Sequence, residues 1–285
     1  FFYASVLVLV SLWLRPLLKD VDLLSAAARD FAADVRRPMQ TATRTTALRE
    51  LAATFDDMSS RIRGLMQGQR ELTSAISHEI RTPLSRIRFA LAVMSGRGGV
   101  ASEIDAIEQD VKQIDQLVGT MLDYARLDHP DIKINWQRVP VDAWLDQIVQ
   151  KTRTGHADLE FSVYAPAAHV QMDPYLMELA LTNLIVNACR YARSRVAVRF
   201  TSADGSNRLI VDDDGPGIPD AGLDAVFKPF TRLDDSRSTK TGGYGLGLAI
   251  VARIAKRHGG RANAERSAEG GARIVIAWPD PPSPM

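Results

Sequence analysis

From Leu51 to Ile76 the apolar residues fall at steps of four and three: Leu51, Phe55, Met58, Ile62, Leu65, then Gln69, Leu72 and Ile76. That spacing is a coiled-coil seam, so the chain must offer this helix a partner helix along its whole length. The next interval, Ile76 to Ile80, is again four, and the heptad breaks there. At about 100° per residue Ile76 and Ile80 share a face, and His78, midway between them, points roughly the other way. An imidazole on the open side of a helix does no packing. Thr82 shares its face one turn on, and Glu79 is adjacent. Pro83 lacks the N–H that would bond the carbonyl of Glu79 and is expected to bend the helix. Alone, the stretch Ser77-His78-Glu79-Ile80-Arg81-Thr82-Pro83-Leu84 would pass for a surface histidine beside a proline kink.

Past Pro83 the apolar positions Leu84, Ile87, Leu91 and Met94 carry the helix to a glycine-rich turn, Gly96 to Gly99. A second amphipathic helix follows, marked by Ile104, Ile107, Val111, Ile114, Leu117 or Val118, Met121 and Ala125. Two helices joined by a short turn cannot bury the whole stripe. Two copies forming a four-helix bundle can, so a homodimer is expected. Upstream, Val21, Leu24, Ala28, Phe31 and Val35 mark an amphipathic helix from Pro16, and residues 36–46 form a polar, Thr- and Arg-rich connector. Phe1 to Leu14 is almost wholly apolar but shorter than the ~20 residues a membrane span needs. Arg15 and Lys19 follow at once, as on a cytoplasmic flank. The expectation is the cytoplasmic end of a transmembrane helix whose remainder lies outside the sequence.

After His129-Pro130 the pattern changes to mixed α/β. Strands are expected at 132–136, 159–164, 169–172, 195–201, 208–211, 261–266 and 272–277, with helices at 141–151, 174–191 and 246–258. This order suits one sheet with helices on one face. A net charge of +1 gives no electrostatic case for nucleic acid, and the single cysteine, Cys189, excludes an internal disulfide.

Four patterns in this region carry chemistry. Asn183 and Asn187 are four apart and share a helix face, and a carboxamide oxygen can ligate a hard cation such as Mg²⁺. Asp213 closes an apolar run and is followed by Gly215-Pro-Gly217, which suits a carboxylate that reads an exocyclic amine through closely approaching backbone. Phe227 and Phe230 stand in an otherwise polar stretch. Gly243-Tyr-Gly245-Leu-Gly247-Leu opens a helix whose free N–H groups and positive dipole end could meet phosphate. The Walker pattern GxxxxGK is absent here, and the dinucleotide fingerprint should follow a strand, which this run does not.

Taken in order, these five motifs resemble those of bacterial membrane sensor histidine kinases. HEIRTPL is similar to their H box, and the later patterns to their N, G1, F and G2 boxes; the resemblance covers about residues 16–278. It implies a helical, coiled-coil and four-helix-bundle dimer followed by an α/β two-layer Bergerat-type ATP-binding domain. The implied modules are the end of a transmembrane helix (1–15), a HAMP linker (16–68), a dimerisation and phosphotransfer hairpin (69–128), the ATP-binding domain (129–280) and a tail (281–285). It implies autophosphorylation of His78 by ATP–Mg²⁺ and phosphotransfer to an aspartate of a response regulator, at the bacterial inner membrane with the modules from residue 16 onward in the cytoplasm.

By motif position Asn187 would hold Mg²⁺, Asn183 would support the pocket, Asp213 would accept from the adenine amine and Tyr191 would line the base. Arg190 stands where many members have lysine; it keeps the charge but changes the geometry. Gly243, Gly245 and Gly247 would wrap the phosphates, with Leu246 and Leu248 of the same run, and Gly215, Gly217 and Phe230 would complete the site. Arg232, Arg237 and Lys240 are candidates for a phosphate-contacting lid. Glu79 would polarise the ring of His78, and Glu79 with Thr82 matches the E-x-x-T element linked in this family to phosphatase activity. Neutral imidazole is a competent nucleophile near pH 7. Phosphoryl transfer otherwise needs mainly positioning and charge neutralisation.

Overall fold

The computed structural model describes residues 2–34, 46–94, 100–128, 133–203, 205–232 and 243–280. The chain divides into two units, residues 1–78 and 79–285.

In the first unit a single helix, α1 (Phe2–Ala33), runs through Pro16. The apolar stretch and the amphipathic stretch, expected as two segments, are therefore continuous. Residues 2–32 are long and apolar enough to cross a membrane by length and composition, with a mean hydropathy of 1.5 over the most apolar window, none of it buried. Helix α2 (Thr46–Met94) begins after the connector and continues into the second unit, passing without interruption through Pro83, which is itself buried. Its seam is only partly covered: Phe55, Ile62, Leu72 and Ile76 are half-buried, whereas Leu51, Met58 and Leu65 are exposed.

In the second unit α3 (Val100–Asp128) supplies the other arm of the hairpin. Arg86 of α2 is ion-paired to Asp110 and donates to Gln113 Oε1 at 2.8 Å, tying the two arms together. The rest is two-layered. A five-stranded mixed sheet has the order β2-β4-β5-β7-β6, built from β2 (Glu160–Tyr164), β4 (Arg195–Ala203), β5 (Ser206–Asp213), β6 (Arg261–Arg266) and β7 (Ala272–Pro279). Only the β2–β4 pair is parallel. A separate antiparallel pair joins β1 (Gln137–Pro140) to β3 (His169–Met172). Residues 133–136 are not a strand, so the expected strand at 132–136 lies one segment too early, and the single sheet is two. Residues 131 and 132 fall outside the described residues.

Strand alternation sends one set of side chains inward. Val196, Val198, Phe200, Leu209, Val211, Ile274, Ile276 and Trp278 are all buried under α4 (Val141–Arg153), α5 (Pro174–Tyr191) and α6 (Gly247–Arg257). Burial of each such side chain stabilises by about 1.5–3 kcal/mol. On the opposite face Asp212 is buried between Arg199 and Arg273, whose Nε donates to it at 2.7 Å. Helix α5 starts where Asp173 accepts from the N–H groups of Tyr175 and Leu176, each at 3.1 Å, with Pro174 at the first helical position. His258, capping α6, packs edge-on against Trp136 and Trp278. Its Nδ1 lies 2.8 Å from the Ile254 carbonyl, and its Nε2 accepts from the Asp173 N–H at 3.2 Å, so the start of α5 is pinned to the end of α6.

Candidate functional site

The sequence-predicted residues of the α/β region converge from α5, the end of β5 and the start of α6. Asn183 donates through Nδ2 to the Leu179 carbonyl at 2.8 Å, which turns Oδ1 toward Gly247. A Cβ on Gly247 would stand 2.8 Å from that oxygen, so glycine is what lets α6 begin there. Asn187, one turn on, is half-buried, and among the described residues its amide makes no hydrogen bond. At the end of α5 the Arg190 guanidinium lies against Gly243, and the Tyr191 carbonyl against Gly215, each so near that a Cβ would overlap it. The Tyr191 side chain is exposed.

Asp213 ends β5 and is 4% exposed as a residue. Oδ1 accepts from the N–H of Gly215 at 2.9 Å and of Ala272 at 3.1 Å, while Oδ2 has no partner among the described residues. Burial pushes this carboxyl above its usual range, the two backbone N–H groups oppose the shift, and the charges of Asp214 and Asp212 add to it. A buried carboxylate with one oxygen to spare is arranged to accept from a ligand. Gly217 has φ +78° and packs on Gly271, and Gly271 lies directly on Asp213.

The aromatic stretch is attached to the glycine run by its backbone. Phe230, at φ +61°, donates its N–H to the Gly245 carbonyl at 2.8 Å, and a Cβ on Gly245 (φ +68°) would stand 2.8 Å from the Phe230 carbonyl carbon. Leu246 is buried and caps α6, while Leu248 is half-buried. Arg232 is exposed; Arg237 and Lys240 lie outside the described residues. On the hairpin His78 and Thr82 are exposed and Glu79 is half-buried.

Several residues escaped the sequence reading. Arg253 of α6 donates to the Tyr124 carbonyl at 3.0 Å, with its guanidinium 3.5 Å from the centre of the same tyrosine ring. Arg257 donates to the Leu127 carbonyl at 2.9 Å, and Tyr244, from within the glycine run, donates to the Gln113 carbonyl. These contacts hold α6 on α3, and isolated arginines give no periodic signal that could have announced them. Gly271, which lies beneath Asp213, was also passed over.

Residues 172–282 match the histidine kinase-, DNA gyrase B- and HSP90-like ATPase family, and residues 68–130, which include His78, match the His Kinase A phospho-acceptor domain. The chain therefore carries a phospho-acceptor domain and an ATPase domain of the histidine kinase type. It is 35% identical over 272 residues to the Escherichia coli sensor protein RstB, covering 95% of this chain and 62% of that one. It is 33% identical over 235 residues to the sensor histidine kinase CpxA of the same organism, covering 80% and 50%. The chain therefore spans 50% to 62% of the length of those relatives. The fold is shared with the Acinetobacter baumannii histidine kinase AdeS (TM-score 0.58, 22% identity, 72% of this chain and 98% of that one). It is shared too with the histidine kinase ThkA, solved in complex with the response regulator protein TrrA (TM-score 0.62, 19% identity, 78% and 65%).

Proposed function

We propose that this chain acts as a sensor histidine kinase, which autophosphorylates His78 from ATP–Mg²⁺ and passes the phosphoryl group to an aspartate of a response regulator. The observation that carries the reading is the spare oxygen of the buried Asp213, framed by Gly215 and Gly271, with Asn183, Arg190 and Gly243–Gly247 brought to the same end of the fold. Asp213 Oδ2 would accept from the exocyclic amine of adenine, beside Tyr191. Arg190 and the N–H groups opening α6 would face the phosphates. Asn187, with its amide uncommitted, fits a hard-cation ligand. Among the described residues there is no cluster of three carboxylates, histidines or cysteines, so Mg²⁺ would arrive with the phosphates and keep waters. Bound there, Mg²⁺ would neutralise charge on the transferring group.

A neutral ring nitrogen of His78 forms the N–P bond as the bond from phosphorus to the leaving ADP oxygen breaks. Glu79 accepts from the other ring nitrogen and keeps the attacking one unprotonated. Exposure of Thr82, one turn from His78, favours a second activity, in which its hydroxyl orients a water against the phosphorylated regulator. Thr82→Ala is expected to lose that phosphatase rate and keep autophosphorylation. The complex of ThkA with TrrA supports a response regulator as partner.

The exposed stripes of α2 and α3 support a homodimer through the 69–128 hairpin. Helix α1 supports a membrane anchor, with a HAMP-like relay at 16–68, the ATP-binding domain at 129–280, and everything from residue 16 onward in the cytoplasm at the inner membrane. The test is incubation with labelled ATP–Mg²⁺: acid-labile, base-stable label is expected on the chain and none on His78→Gln.

A further inference from the structure

Asp213 and Asp214 are neighbours with separate partners. While Asp213 keeps an oxygen open, both oxygens of Asp214 are committed to one turn. Its Oδ1 accepts from the backbone N–H groups of Arg193 at 2.8 Å, Ser194 at 3.0 Å and Arg195 at 3.1 Å. Its Oδ2 accepts from the Ser194 hydroxyl at 2.6 Å and again from the Ser194 N–H at 3.1 Å. That turn carries the chain from the end of α5 at Tyr191 to the start of β4 at Arg195. On its other side the Ser194 carbonyl accepts from the Glu160 N–H at 2.8 Å, so the turn is held from both directions.

The position of this clamp says what it is for. The last pair of the β4–β5 ladder is Val196 with Asp213, so strand register is complete before Asp214 is reached. What Asp214 adds is a fixed distance between the exit of α5 and the loop from Asp213 to Gly217. The same two segments touch again where the Tyr191 carbonyl rests on Gly215, whose N–H in turn orients Asp213 Oδ1. Although burial works against it, the bonds from Ser194, Arg195 and Arg193 hold the Asp214 carboxyl well below the usual carboxylate range, so the anion is the form that grips the turn.

We propose that Asp214 is a positioning residue for the nucleotide site, setting the gap between the Tyr191 end of α5 and the Asp213 carboxylate in which the base is gripped. The inference rests on the nucleotide reading given above. It assigns to Asp214 no contact with the nucleotide; it acts through Tyr191 and Asp213.

The experiment uses the full chain and measures autophosphorylation against ATP–Mg²⁺ concentration for the wild type, Asp214→Ala, Asp214→Asn, Ser194→Ala and Asp213→Asn. Asp214→Ala is expected to raise KM for ATP about tenfold and leave kcat at saturating ATP within about twofold, because the gap loosens and the reacting end does not. Asp214→Asn keeps an amide oxygen for the three N–H groups and is expected to recover most of the affinity. Should Asp214→Ala fail to fold, Ser194→Ala, which removes only the hydroxyl bond, is expected to raise KM about two- to threefold. An unchanged KM in Asp214→Ala or, in its place, Ser194→Ala overturns the proposal, as does a loss confined to kcat. If Asp213→Asn loses ATP while the Asp214 and Ser194 variants do not, the clamp alone is wrong. If none of them changes KM, the nucleotide reading fails with it.

Discussion

The α/β region and the helical hairpin have the same kind of apolar residue and use it in opposite ways. Met177, Phe200 and Ile276 of the α/β region are fully buried within one chain, whereas Leu65, Phe89 and Leu122 of the helices are 75%, 72% and 52% exposed. A sheet covered by three helices closes its own core, because strand alternation and the helix stripes meet inside one chain. A pair of long helices cannot. Its second stripe stays exposed, as Leu65, Phe89 and Leu122 are, and the proposed homodimer would supply the missing surface.

The comparison can be broken first at the core. Phe200→Ala should cost about 3–5 kcal/mol of unfolding free energy in chemical denaturation of the α/β region, since a buried aromatic leaves a cavity. The paired change Phe89→Glu with Leu122→Glu should leave the same transition unmoved and lower the oligomeric mass measured by light scattering. A fully dimeric double variant would mean the exposed stripe is not the interface. At the site, Asp213→Asn should weaken ATP binding about 10- to 100-fold by calorimetry, the worth of one charge-assisted buried hydrogen bond.

A smaller effect is expected from pH. Burial holds the His258 imidazole below its ordinary value, against the Ile254 carbonyl and the charge of Asp173, so the fold accepts the neutral ring. Its stabilising contribution is complete above about pH 6.5 and is lost as pH falls from there through the lowered folded value. Asp213, shifted upward, acts in the opposite direction as it protonates, and the Asp214 clamp holds until well below the carboxylate range. Denaturation midpoints of the wild type should therefore fall between pH 8 and 5.5 more steeply than those of His258→Gln. The smallest effect belongs to the rim: Glu269→Ala, which removes the exposed 3.3 Å pair with Arg195, should change stability by less than about 0.5 kcal/mol.

Local chemistry made part of this readable beforehand. The helix at 174–191 and the strands at 169–172 and 261–266 stand at the expected limits because a proline and its aspartate cap, or a clean alternation, mark them. The strand expected at 132–136 failed because a short apolar run has no direction of its own; pairing with His169–Met172 selects 137–140 instead. Pro16 was read as a boundary, yet the helix absorbs it. Asp213 was legible as the end of an apolar run before glycines, but Asp214 was not, since its five hydrogen bonds reach a turn some twenty residues earlier in the chain. His258 and Arg253 were silent for the same reason: their partners are set by packing and not by sequence spacing.

The central claim, that the exposed imidazole at position 78 receives phosphorus from a nucleotide held at Asp213, is tested most directly by mapping the phosphorylated residue after incubation with ATP–Mg²⁺. The account predicts phosphohistidine at His78 in the wild type, none in His78→Gln, and strongly reduced label in Asp213→Asn at limiting ATP. Stable label on any other residue, or undiminished label in His78→Gln, would contradict it.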